Sequence, residues 1–248
     1  MRNRVLTALG VAAVAAACST GTGPGGPTAS LSFTTKPAGT PAFSSVGTLD
    51  QIITSGSDVL IITKAQIVLK QVELKGENVT ACDPAGTTGD DDGCEEFETG
   101  PMVVNLPLDG QISTEVSITI PPGTYDELDF EVHKLEGAAD QALITQYPDL
   151  AGLSIRLEGT FNETAFVYTS DLDVEQENQL TTPIVVTDGT TAVNVTMAID
   201  LSTWFMNGQA LVDPASANLG GANESLVKEN IKRSFHSFED DDRNGSDD

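Results

Sequence analysis

Asp240, Asp242, Asn244 and Asp248 close the chain in FEDDDRNGSDD, with Gly245 among them, so the stretch follows D-x-D-x-D/N-G-x-x-D. Short side-chain oxygens at that spacing suit a hard cation. Calcium takes about 6–8 oxygen ligands, and a glycine at the sixth position permits the sharp turn that wraps the ligands round it. A full loop of this type ends on a bidentate glutamate at its twelfth position, whereas here the chain reaches only the ninth. Acids gathered at a chain end also make a solvated tail. The first reading of 239–248 is therefore a plain acidic tail, and calcium is the one cofactor the spacing suggests as the alternative.

A second acidic row lies in SDLDVEQE, where Asp171, Asp173, Glu175 and Glu177 alternate and share one face of an extended strand. Like charges in a row repel, so that face meets water or a cation. Catalytic constellations are absent from the sequence. His133 falls on the polar face of a strand between carboxylates and reads as solvated, and His236 falls beside Lys232 and Arg233 on a helix. Neither has the company of a base oriented by an acid. Ser225 and Lys228 match S-x-x-K, but the S-D-N and K-T-G that accompany it in penicillin-binding enzymes are missing, so the match reads as chance. The chain is expected to be no enzyme. A hydrolase with a carboxylate pair is the enzymatic alternative.

What must carry these residues begins with an export signal. Arg2 and Arg4 precede an apolar run of 13 residues, Val5 to Ala17. That is short of the ~20 residues that cross a bilayer and fits a cleavable signal over 1–17. Ala15, Ala16 and Ala17 lead into Cys18, an arrangement that resembles the lipobox of prokaryotic lipoproteins and implies lipid on Cys18. Residues 18–30 then comprise Cys18 and a flexible linker, Ser19 to Ser30, of Gly, Pro, Ser, Thr and Ala that cannot bury apolar surface. Its G-x-G-x-x-G (Gly21, Gly23, Gly26) lacks the flanking strand and helix of a dinucleotide site. Cys82 and Cys94 remain as a pair, expected to form a disulfide that closes an acidic loop and contributes on the order of 3 kcal/mol.

With 37 acidic and 12 basic residues the formal charge is −25, which repels phosphate backbones and argues against nucleic acid as a partner. From Leu31 to Leu211 the chain reads as about nine strands. Leu31 and Phe33 alternate inward, as do Leu128, Phe130 and Val132. Asp188-Gly189 reads as a hairpin turn. Trp204 and Phe205 are expected at the seam. Near the end Asn223 caps a helix whose apolar stripe runs through Leu226, Val227, Ile231, Phe235 and Phe238. The expected architecture is an all-β sandwich, immunoglobulin-like or transthyretin-like, over 31–238 with a C-terminal amphipathic helix.

The succession ITKAQIVLKQVEL, VVNLPL and TIPPGTYDELDFEVHKLEG, over about residues 58–137, resembles the lipoprotein family labelled domain of unknown function 4382. The resemblance implies a lipid-anchored sandwich and carries no assigned functional residues. The last loop is also similar in spacing to the calcium loops of dockerins and thrombospondin type 3 repeats. The expected function is a non-enzymatic binding or structural module of the cell envelope. It meets a membrane through its lipid and an extracellular or periplasmic ligand through its surface. A calcium-dependent ligand-binding or adhesion module is the alternative.

Overall fold

A computed structural model describes residues 27–35, 50–77, 100–187 and 189–247. The signal segment, Cys18, Cys82, Cys94, Asp188 and Asp248 lie outside the described residues. The strands are β1 Thr28–Thr34, β2 Gln51–Ser55, β3 Asp58–Glu77, β4 Met102–Asn105, β5 Ser113–Thr119, β6 Gly123–Val132, β7 Ile155–Phe161, β8 Thr164–Ser170, β9 Val174–Val186, β10 Ala192–Ile199, the short pair β11 Met206–Asn207 and β12 Ala210–Leu211, and β13 Phe235–Glu239. Two α-helices accompany them, α1 Gln141–Gln146 and α2 Glu224–Lys232.

One sheet runs β13-β10-β1-β5, and the other follows β8-β7-β3-β6-β9 with β2 and β4 also paired to β3. Leu31 and Phe33 from the first and Leu128, Phe130 and Val132 from the second are buried in one shared core. This is an all-β sandwich. β1 lies between parallel β10 and antiparallel β5 and starts at Thr28, three residues before the expected start of the sandwich. Trp204 and Phe205 are fully buried; the indole N–H donates to Ser234 Oγ at 2.8 Å, and Phe205 meets Tyr168 edge-on at 5.1 Å. In the PPGTY turn the buried Tyr125 hydroxyl donates to the Pro121 carbonyl at 2.9 Å, fastening the turn to the strand that leaves it.

The spine of the second sheet is β3. The Val68 N–H donates to the Ser154 carbonyl at 2.8 Å, and the Val68 carbonyl accepts from the His133 N–H at 3.1 Å. A strand residue points both groups to one edge, so β6 and β7 follow one another along the same edge of β3. The chain between them, residues 133–154, packs its own small core of Val68, Leu135 and Leu150.

Two local expectations are corrected. Asp188-Gly189 does not join a hairpin: β9 pairs with β6 in one sheet and β10 with β1 and β13 in the other, so the segment crosses between sheets. The final helix ends at Lys232, and Phe235 and Phe238 belong to β13. The reason is tertiary. The Asn230 amide donates to the Trp204 and Met206 carbonyls, holding the helix end against the core, while β10 offers β13 a complete antiparallel ladder. Asn223 stands at the N-terminus without a side-chain capping bond. Among the described residues, no helix is long and apolar enough to cross a membrane.

Candidate functional site

Three strands lay a lattice of charges on the solvent side of the second sheet. Its register gives rows Lys70–Glu131–Glu175, Glu73–Asp129–Glu177 and Lys75–Glu127–Gln179 across β3, β6 and β9. Because the side-chain period is two, burying Leu128, Phe130 and Val132 forces Glu127, Asp129 and Glu131 outward together. The ladder of β3 shifts between Lys70 and Glu73, where Gln71 takes a φ of +50°. Such a bulge re-aims the side chains beside it, and it turns Val72 into the core with buried Glu73 next in sequence.

Carboxylates outnumber cations on this face. Lys70 pairs with Glu131 at 3.2 Å and Lys75 with Asp129 at 2.8 Å. Asp129 Oδ1 is buried and receives no hydrogen bond. Gln71, Glu73, Lys75, Asp129, Glu131, Glu175 and Glu177 help line an open groove of about 220 Å³ here. Burial, with the charges of Asp129 and Glu177, pushes the Glu127 carboxyl above its usual range. A second hollow of about 380 Å³ lies between β9 and β13, lined by Asn178, Gln179, Thr181, His236, Ser237, Phe238 and Asp247.

Beyond one end of the groove sits His133, 9 % exposed and one residue past β6. The expectation that it is solvated is wrong. Its Nδ1 lies 3.0 Å from Glu131 Oε1 and 3.8 Å from Asp173 Oδ1, and its Nε2 lies 2.9 Å from Asp140 Oδ2. Asp140, 3 % exposed, also accepts the Glu136 N–H at 2.8 Å. Burial pushes the Glu131 carboxyl up, but hydrogen bonds from His133 and Lys70 outweigh it and hold the group below its ordinary value. Asp140 is likewise held low against its burial, by the Glu136 N–H and by His133. Glu131, Asp140 and Asp173 each set a carboxylate against the imidazole.

The remaining predicted residues fall elsewhere. Glu175 and Glu177 are exposed on β9 as the alternation requires, and Asp173 joins His133. Asp171 pairs with Lys228 at 2.7 Å, a contact that holds the Asp171 carboxyl low. Lys228 also binds Glu224 at 2.7 Å, so two acids occupy the lysine of the S-x-x-K match. His236 is exposed on β13 rather than on a helix.

The terminal loop is folded. Asp240 is fully buried: Oδ1 accepts the Asn244 N–H at 2.8 Å, Oδ2 accepts Thr196 Oγ1 at 2.8 Å, and the Gly245 N–H is shared between them. Asp242 accepts the Asn244 side-chain amide at 2.8 Å. The structure thus gathers Asp240, Asp242 and Asn244 in one turn, with both oxygens of Asp240 already engaged by the protein; Asp248 lies outside the described residues. Asp241 Oδ1 accepts the Asn194 N–H at 2.7 Å, and Asp247 accepts Thr182 Oγ1 at 3.0 Å, so residues 240–247 dock on β10 and β9 instead of trailing from the domain.

No protein-family model matches the chain, and no curated protein and no solved structure matches it either.

Proposed function

We propose that the chain is an exported cell-envelope protein, held to a membrane by lipid on Cys18, that acts as a non-enzymatic binding module through the carboxylate face of β3, β6 and β9. The observation that carries this reading is Asp129 Oδ1, a buried carboxylate oxygen that no N–H or hydroxyl of the described residues reaches, beside a groove that Glu73, Glu131, Glu175 and Glu177 also line. An unsatisfied buried polar group costs about 1–3 kcal/mol, more when charged. Glu131 opposite Glu175 and Asp129 opposite Glu177 add cross-strand repulsion. A ligand that brings positive charge removes both penalties at once. The partner is accordingly a cation or cationic group outside the cytoplasm, which agrees with the charge argument against nucleic acid. The resemblance to lipoproteins of the domain of unknown function 4382 supports the address.

A calcium-dependent binding module is the second reading, favoured by the clustering of Asp240, Asp242 and Asn244. The hydrolase alternative draws on one contrast, Glu127 held high and Glu131 held low. Its difficulty is size, since a groove of about 220 Å³ is smaller than the ~300–1,000 Å³ of organic-ligand pockets.

Melting the full chain tests the binding reading. Saturating calcium or magnesium, against EDTA at matched ionic strength, is expected to raise Tm by roughly 5–10 °C at about 100 times Kd. The double variant Glu175→Gln, Glu177→Gln is expected to lose most of that rise. Full retention of the rise in the double variant contradicts the assignment to this face. Lipid anchoring is checked on the same material: Cys18→Ser is expected to move the protein from the membrane to the soluble fraction.

A further inference from the structure

We propose that Glu131, His133 and Asp173 bind one divalent transition-metal ion of the zinc type, with Asp140 positioning the histidine from behind. The proposal rests on the reading of the carboxylate face as a cation-binding surface and gives one end of it a specific ion.

Geometry is the first support. His133 Nδ1 and one oxygen each of Glu131 and Asp173 all lie within 4.8 Å of one another. Zinc bonds of about 2.0–2.2 Å in a tetrahedron set ligand atoms roughly 3.3–3.5 Å apart. The two nitrogen-to-oxygen separations, 3.0 and 3.8 Å, bracket that spacing, and the two carboxylate oxygens lie within 4.8 Å of each other. A ligating nitrogen also separates this place from the all-oxygen loop at Asp240. Imidazole suits zinc and its neighbours, whereas calcium takes oxygen.

The second support is Asp140. A metal-bound histidine ordinarily gives its other N–H to a carboxylate, which fixes the tautomer and aims the ring. Asp140 Oδ2 lies 2.9 Å from Nε2; in the tautomer that carries its proton there, the ring presents the Nδ1 lone pair to Glu131 and Asp173. The fold supplies this carboxylate from a distance: residues 134–153 leave the sheet, pack on Val68, Leu135 and Leu150, and carry buried Asp140 back beside the ring.

Charge is the third. Glu131, Asp140 and Asp173 with Lys70 on Glu131 sum to two negative charges, while Lys134 is paired to Glu136 at 2.7 Å. A divalent ion held beside the ring neutralises both. The Asp173 side chain, 46 % exposed, gives the ion its way in and leaves room for water in the fourth position.

The test is calorimetric titration of the EDTA-stripped full chain with zinc, joined to the visible spectrum of the cobalt(II)-loaded protein. One zinc per chain and a tetrahedral cobalt spectrum are expected. His133→Gln should weaken zinc at least 100-fold and abolish the spectrum. Asp173→Asn, at an exposed position that keeps the fold, should weaken it about 10–100-fold, and Asp140→Asn comparably while retaining a tetrahedral spectrum. Glu229→Gln, on α2 and away from the face, should leave zinc unchanged. No saturable zinc binding, or binding unmoved by both His133→Gln and Asp173→Asn, overturns the site. If calcium or magnesium still stabilises the chain through Glu175 and Glu177, only this inference falls; if no cation binds the face, the parent reading falls with it.

Discussion

Gly159→Ala is expected to destabilise the chain by more than about 4 kcal/mol, enough to unfold an ordinary domain. Gly159 on β7 stands opposite Ile62 on β3. A Cβ there would sit 1.9 Å from the Ile61 carbonyl oxygen, 3.0 Å from its carbon and 3.1 Å from Ile62 Cα. All three are backbone atoms of the spine strand, so no rotamer change relieves the clash. Relief requires β7 to separate from β3, which surrenders the ladder from Leu60 to Ile67 and exposes the core beneath. The strand glycine marks a close backbone approach. Gly100→Ala is the control, because nothing among the described residues lies within 4 Å of its added methyl, and its urea midpoint should scarcely move. Urea melts followed by far-ultraviolet circular dichroism decide the matter; similar midpoints for the two variants would show that the β3–β7 ladder is wrong.

Asp240→Ala is expected to cost about 3 kcal/mol in EDTA, with no metal present. Removing the carboxylate strips acceptors from the Asn244 and Gly245 amides and from Thr196, which is itself fully buried. The Thr196 hydroxyl also accepts from the Asn194 amide, which reaches the Asp240 carbonyl, so the loss spreads through the network that docks the terminal loop on β10. Thermal melts with and without calcium separate two roles. An equal loss in both conditions identifies Asp240 as an anchor of the loop. A loss seen only with calcium would make it a cation ligand and revive the loop as the binding site.

Much of the fold was legible because it rests on local alternation. Leu31 and Phe33, and Leu128, Phe130 and Val132, turn inward as their period of two requires. The end of the chain was less legible. Phe235 and Phe238 are three apart, a spacing that continues a helical stripe, and only the free edge of β10 makes that segment a strand. Asp188-Gly189 carries a hairpin signal, but which sheet receives β10 is decided by β1, more than 150 residues earlier. His133 was misread for a related reason. Parity assigned it to the polar face, but β6 ends at Val132, and the carboxylate that covers the ring returns seven residues later on a loop with its own core. Half of the acidic row was visible: Glu175 and Glu177 alternate on β9, whereas Asp171 and Asp173 precede the strand; the alignment of Glu175 and Glu177 with Glu131 and Asp129 was not, since register across strands leaves no trace in one sequence.

The most direct test of the central claim, that cations bind the β3–β6–β9 face around His133, is to follow the amide chemical shifts of the ¹⁵N-labelled chain through titrations with zinc and with calcium. The account predicts that the largest shifts cluster at residues 70–75, 129–135 and 171–177, with zinc concentrating them about His133 and Asp173, while 240–247 stay nearly unmoved. Shifts confined to 240–247, or none up to millimolar metal, would contradict it.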